Sequence, residues 1–232
     1  MRNDAVFPAI IALLAVVVMT LFGISTFSEW AGRQPATNSS APQIQRITAP
    51  AIDFANPARG SEKPKATIVV YGDYQCAACA QMETTLAQVL KDFPTQVRVV
   101  WKDLPNASLH EQAMTAAVAT RCAGNQDVFW PYHDRLFANQ ASLTADSYAT
   151  LAEGLVADMT SFKTCILQEQ TRPLVQRDID EAIMLGVNAT PYLFIGDRQV
   201  SGSLDYASLK MILASAITAA DNKQTAPVNG AK

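Results

Sequence analysis

Two cysteines, Cys76 and Cys79, separated only by Ala77 and Ala78, are the residues of this sequence best placed to do chemistry. They follow the apolar stretch Ala66-Thr-Ile-Val-Val-Tyr71 and precede a helical pattern over Met82–Leu90. A strand running into a helix puts the first thiol at the helix mouth. Unpaired backbone N–H groups and the positive end of the helix dipole stabilise a thiolate there. The second thiol lies one turn further on the same face, so the two sulfurs can bond. A Cys-x-x-Cys so placed points to dithiol–disulfide exchange. The competing use is half of a zinc site, which needs a second close ligand pair, and Cys122 and Cys165 are far apart in the chain. No metal and no organic cofactor are expected.

Other residues offer weaker chemistry. Asp73 and Lys102 form either a proton relay that takes up the Cys79 proton or a solvated surface pair. Cys122 and Cys165 each fall on an apolar helical stripe, as buried free thiols often do. Export, an even cysteine count and a shared helical block favour a structural Cys122–Cys165 disulfide instead. His110 and His133 read as packing or capping residues, and His110-Glu-Gln-Ala-Met114 lacks the second histidine of a zinc-protease motif.

The elements that must position these groups can be read along the 232 residues. From Ala5 to Phe27 there is no charged residue, and as a helix that run spans roughly 35 Å, enough for a hydrocarbon core. With no clear Ala-x-Ala cleavage site, residues 1–30 read as an uncleaved transmembrane anchor rather than a signal peptide. Disulfides persist outside the cytosol, so the rest of the chain is expected on the exported side of the membrane. Residues 31–65, rich in Pro, Ala, Ser, Asn and Gln, read as a flexible linker in which only Ile44, Ile47, Ile52 and Phe54 offer apolar contacts. One domain over 66–220 and a disordered tail over 221–232 complete the reading. A net charge of −3 gives no electrostatic footprint for nucleic acid. Four cysteines are too few for a disulfide-built mini-domain, so a hydrophobic core must carry the fold.

Within the domain, Ala66–Tyr71 and Val97–Lys102 read as strands joined by a helix, which implies a right-handed parallel crossover. From about Ser108 to Leu185 the pattern is helical, with His110, Met114, Val118 and Cys122 on one stripe and Met159, Phe162 and Ile166 on another. A hairpin follows, Tyr192–Ile195 and Gln199-Val200 across Gly196-Asp197, and then a helix over about Asp205–Ala220. The architecture is α/β, a mixed sheet with helices on its faces.

Several blocks in this order resemble the DsbA-like thiol-disulfide oxidoreductases of the thioredoxin superfamily, in their membrane-anchored bacterial branch. They are Gly72-Asp-Tyr-Gln-Cys-Ala-Ala-Cys79; Trp101-Lys-Asp-Leu-Pro105 with His110; Ala123-Gly-Asn-Gln126 with Phe129-Trp-Pro-Tyr-His133 and Leu136-Phe137; and Leu185-Gly-Val-Asn-Ala-Thr-Pro191 with Phe194-Ile-Gly196. The resemblance implies a thioredoxin fold with a helical insertion at about 106–183, preceded by the single transmembrane helix. It implies that Cys76 is the nucleophile and Cys79 the resolving thiol, with a cis Thr190–Pro191 bond packed against them as the substrate-binding element. Its partners would be exported proteins with thiols and either a quinone-linked reoxidase of the DsbB class or a transmembrane reductant, with the catalytic domain on the periplasmic side. Family members commonly carry Pro-His or Pro-Tyr between the cysteines, and Ala77-Ala78 departs from that. Direction is therefore open: an oxidant is favoured, a reductase or isomerase of the same fold is the alternative, and a non-enzymatic tethered chaperone is the remote one.

Overall fold

The computed structural model describes residues 48–225. The apolar run Ala5–Phe27 and the first part of the linker lie outside these residues, as does the chain from residue 226 on. No helix among the described residues is long and apolar enough to cross a membrane.

Strand β2 (Ala66–Gly72) is followed by helix α1 (Ala77–Asp92) and strand β3 (Val97–Asp103), and the two strands pair in parallel. Strands β4 (Tyr192–Ile195) and β5 (Arg198–Ser201) form an antiparallel hairpin, with β4 antiparallel to β2. A short strand β1 (Ala58–Gly60) pairs antiparallel with β3, giving a five-stranded sheet ordered β1-β3-β2-β4-β5.

Strands β2 and β3 are buried on both faces, which is why they read as nearly continuous apolar runs. On one face Ile68, Val70, Val99 and Trp101 meet Met82, Leu86 and Val89 of α1 and Leu209 and Leu213 of the closing helix, α7 in chain order (Tyr206–Thr225). On the other, Val69, Tyr71, Val100 and Phe194 pack on Ala182. Gly72 has a packing reason: a Cβ there would stand 2.2 Å from the Trp101 ring.

The helical insertion lies between β3 and β4. It comprises α2 (Ala113–Gly124), α3 (Phe129–Ala138), a 3₁₀ turn (Gln140–Ser142), α4 (Ser147–Ala152), α5 (Met159–Leu167) and α6 (Arg172–Leu185). The Asp158 side chain accepts the Ser161 N–H and caps α5, while Pro173 in the first turn and the left-handed Gly186 (φ 73°) bound α6.

Three expectations need correction. Residues 48–65 are not a free linker. Ala51 N–H donates to Glu181 at 2.7 Å, Arg121 Nη1 donates to the Ala55 carbonyl at 2.8 Å, and Trp101 N–H donates to the Pro57 carbonyl at 2.9 Å. Backbone groups and the charged side chains of Asp53 and Arg59 make this attachment, whereas Ile52 and Phe54 are exposed. The closing helix continues into the segment read as tail, ending at Thr225, with Lys65 and Asp221 paired at 2.8 Å. His110 precedes α2 rather than joining its apolar stripe, because its ring is drawn to Asp73 at 2.8 Å.

Candidate active site

Cys76 is the N-cap residue of α1, in extended conformation (φ −77°, ψ 116°). Its carbonyl accepts the N–H groups of Cys79 at 3.0 Å and Ala80 at 3.2 Å, and its own N–H donates to the Asp73 carbonyl at 3.1 Å. Its sulfur therefore sits where the first turn of the helix presents unpaired N–H groups. Cys79 faces inward from that turn, and both residues are free thiols. The Thr190–Pro191 peptide is cis, Pro191 is buried, and the Thr190 carbonyl accepts the Cys76 S–H at 3.3 Å.

The two thiols are driven in opposite directions. Cys76 falls from 9.0 for an ordinary thiol to about 5, chiefly because the Cys79 thiol donates to its thiolate. Burial opposes the shift, while the Thr190 side chain and the N–H groups of Cys79 and Ala78 add to it. Cys79 is pushed up, first by burial and then by donating its proton to Cys76. Ionisation of Cys76 thus stabilises the reduced fold. That contribution is absent below about pH 5, grows as pH rises, and is complete near pH 9. Cys79 enters only above the ordinary thiol value. The stability of the reduced protein relative to the oxidised one, measured by denaturant midpoints, is expected to increase steadily across that window. A difference independent of pH would contradict the assignment.

Asp73 and Lys102 are not partners and form no relay with each other. Asp73 is buried on the active-site loop, accepting from Gln75 N–H, Asn106 N–H and His110 Nδ1, each at 2.8 Å. Lys102 is buried too, in register with Tyr71 on the sheet face opposite α1. There its Nζ lies 2.8 Å from Glu181 and 3.5 Å from Asp178. The sheet itself lies between it and the thiols' helix. Arg121 extends this buried network, with Nε 2.6 Å from Asp103 and Nη2 2.6 Å from Asp178. Tyr71 donates its hydroxyl to Glu181. Burial raises the Asp178 carboxyl to about 6 despite its cationic neighbours. None of Asp103, Arg121, Asp178 or Glu181 was singled out from sequence.

Cys122 and Cys165 are joined by a disulfide with Cα atoms 5.9 Å apart, tying α2 to α5. His133 is fully buried among the rings of Tyr74, Trp101, Trp130 and Phe137. With Glu83 and Asp134 it forms a cluster of metal-ligand type. The protein fills that cluster with its own cation: Arg59 lies 2.5 Å from Glu83 and 2.8 Å from Asp134, with its guanidinium over the Trp130 ring.

The insertion grips the loop that carries Cys76. Gln140 Nε2 donates to the carbonyls of Tyr74 at 2.8 Å and Cys76 at 2.9 Å, and Gln75 Oε1 accepts the Gln112 N–H at 2.6 Å. The sequence carries no signal for Gln140 beyond a polar residue after a helix. The link between Asp73 and His110 joins two residues that had been noted separately.

A strand-to-helix dithiol facing a cis proline, on a mixed sheet with a helical insertion, defines a dithiol protein of the thioredoxin fold. The family model described as thioredoxin matches residues 54–215. The chain belongs to the thioredoxin family. It is 34% identical over 158 residues to the Na(+)/H(+) antiporter NhaA 1 of Salinispora arenicola, a match covering 68% of this chain and 24% of that protein. The chain spans only about a quarter to a third of the length of the curated relatives that it matches. Among solved structures, a periplasmic thioredoxin-like protein from Salmonella enterica serovar Typhimurium superposes with TM-score 0.63 at 25% identity, covering 72% of this chain and 92% of that one. BdbD from Bacillus subtilis superposes with TM-score 0.65 at 22% identity, covering 71% and 94%.

Proposed function

We propose that the protein is a thiol-disulfide oxidoreductase that transfers its Cys76–Cys79 disulfide to exported proteins. The observation that carries this reading is the split between the thiols, Cys76 held near 5 at the mouth of α1 and Cys79 buried and pushed up. A substrate thiolate attacks the Cys76 sulfur, forming a mixed disulfide and breaking the Cys76–Cys79 bond, and Cys79 leaves and takes up a proton. A second substrate thiolate then attacks the substrate sulfur of the mixed disulfide and Cys76 leaves as thiolate. The substrate loses two electrons and the enzyme dithiol gains them. A stabilised Cys76 thiolate favours this direction, because it is the leaving group of the second step and a component of the reduced product. Backbone beside the cis Thr190–Pro191 bond receives the substrate as an added strand, which makes recognition largely blind to side chains.

The Cys122–Cys165 bond supports an oxidising compartment, and the uncharged run Ala5–Phe27 supports a single-pass membrane tether with the domain on the exported side. Reoxidation then falls to a DsbB-like quinone-linked membrane oxidase. Supply of electrons by a transmembrane reductant is the reading that Ala77-Ala78 leaves in competition. Cys79→Ser tests the reaction. It is expected to accumulate a Cys76–substrate disulfide with a peptide activated at cysteine, visible as a mass increase that dithiothreitol removes. Failure to trap that adduct would overturn the proposed role of Cys76.

A further inference from the structure

The catalytic loop is held from outside its own fold. Three consecutive residues, Tyr74, Gln75 and Cys76, are hydrogen-bonded to the helical insertion, and Gln140 alone makes two of the three contacts. Its amide uses both hydrogens, one on the carbonyl of buried Tyr74 and one on the carbonyl of Cys76. The Cys76 carbonyl is also the acceptor for Cys79 and Ala80, so the same oxygen that starts α1 is anchored by the insertion. Gln112 is anchored in turn, its carbonyl accepting the Tyr148 hydroxyl at 3.1 Å, while the Tyr148 carbonyl accepts the Tyr132 hydroxyl at 2.9 Å. The insertion thus brackets the active-site turn, and Gln140 is its side-chain contact to the carbonyls of that turn.

We propose that Gln140 is a positioning residue for disulfide exchange, whose side-chain amide, reaching from the insertion onto the Tyr74 and Cys76 carbonyls, holds the first turn of α1 in the geometry that stabilises the departing Cys76 sulfur. This rests on the exchange reading given above. The effect works through alignment: the N–H groups of Ala78 and Cys79 that favour the thiolate belong to the turn that Gln140 pins. A side chain that cannot donate leaves the Tyr74 carbonyl without this partner and lets the turn relax. A carboxylate adds repulsion from both carbonyls and a negative charge beside the thiolate.

The test is titration of the Cys76 thiolate by its ultraviolet absorbance in the reduced full-length protein, together with the rate of disulfide transfer to a reduced two-cysteine peptide. Gln140→Met is expected to raise the thiolate transition by roughly half a unit to one unit, the size of one hydrogen bond's net effect, and to slow transfer several-fold. Gln140→Glu should raise it further, and Gln140→Lys, which keeps a donor, should restore the low value. Arg135→Met serves as the structural control. It removes bonds to the Leu151 and Glu153 carbonyls within the insertion, and should lower the melting temperature without moving the Cys76 transition. Should Gln140→Met and Gln140→Glu both titrate like wild type while wild type keeps its low transition, the positioning role is overturned and the exchange reading stands. A wild-type transition near the ordinary thiol value overturns the exchange reading and this proposal with it.

Discussion

Cys76→Ser is expected to bring disulfide transfer to a reduced two-cysteine peptide down to the uncatalysed background while leaving the fold cooperative. The expectation follows from how the turn is built. Serine keeps the extended N-cap conformation, the Cys76 carbonyl contacts and the bond to Thr190, all of which depend on backbone or on a small polar side chain. What it removes is the sulfur that must form the mixed disulfide and leave again. Loss of activity at neutral pH, with a denaturant midpoint matching that of the reduced wild type below about pH 5, where the Cys76 thiolate contributes nothing to stability, would place the chemistry on that atom. Substantial transfer by the serine protein would mean that another thiol carries the reaction, and among the described residues only Cys79 is also free.

The second large effect lies away from the thiols. Arg121→Met is expected to destabilise the domain by roughly 3–5 kcal/mol, because it removes one member of a buried ionic network, takes from Asp103 its ion-pair partner and leaves Asp178 with the longer contacts to Lys102 and Arg177. Asp103 and Asp178 would each lose a contact of 2.6 Å, and the Ala55 carbonyl of the docked N-terminal segment would lose its donor. Asp178 already titrates high because it is buried, so the arginine is what keeps its charge tolerable. Chemical denaturation of the reduced and oxidised protein measures this directly. The Cys76 transition should stay where it is, since the charges of this network are not among the groups that shift Cys76. A shift in that transition would reopen a relay through Lys102 and its neighbours.

The contrast between these two regions shows what the amino-acid pattern exposes. A run such as Ile68-Val-Val-Tyr71 leading into Cys-x-x-Cys and an amphipathic helix is a local signal, and strand, turn and helix all follow from short-range preferences. The same holds for the Tyr192–Ile195 hairpin and for the disulfide-bearing helices. Strand β1 is different. Its three residues, Ala58-Arg-Gly60, have no apolar alternation, and Gly60 adopts φ 101°. Only the neighbouring edge of β3 makes them a strand. Lys102 was misread for a related reason. A charged residue at a strand end suggests solvent, yet period-two alternation puts it on the face of Val100, which is fully buried. Followed through, that parity would have required buried carboxylates from the insertion, which is where Asp178 and Glu181 lie. Gln140 had no such parity to betray it, because its partners are backbone carbonyls sixty-odd residues earlier.

The central claim is that one sulfur at the start of α1 is ionised at neutral pH because its surroundings hold it so. The most direct test is the ultraviolet titration of the reduced wild-type protein, with Cys76→Ser as the blank. A single transition near pH 5, absent from the blank, is the predicted result. A transition near pH 9, the value of an unassisted thiol, would contradict the account.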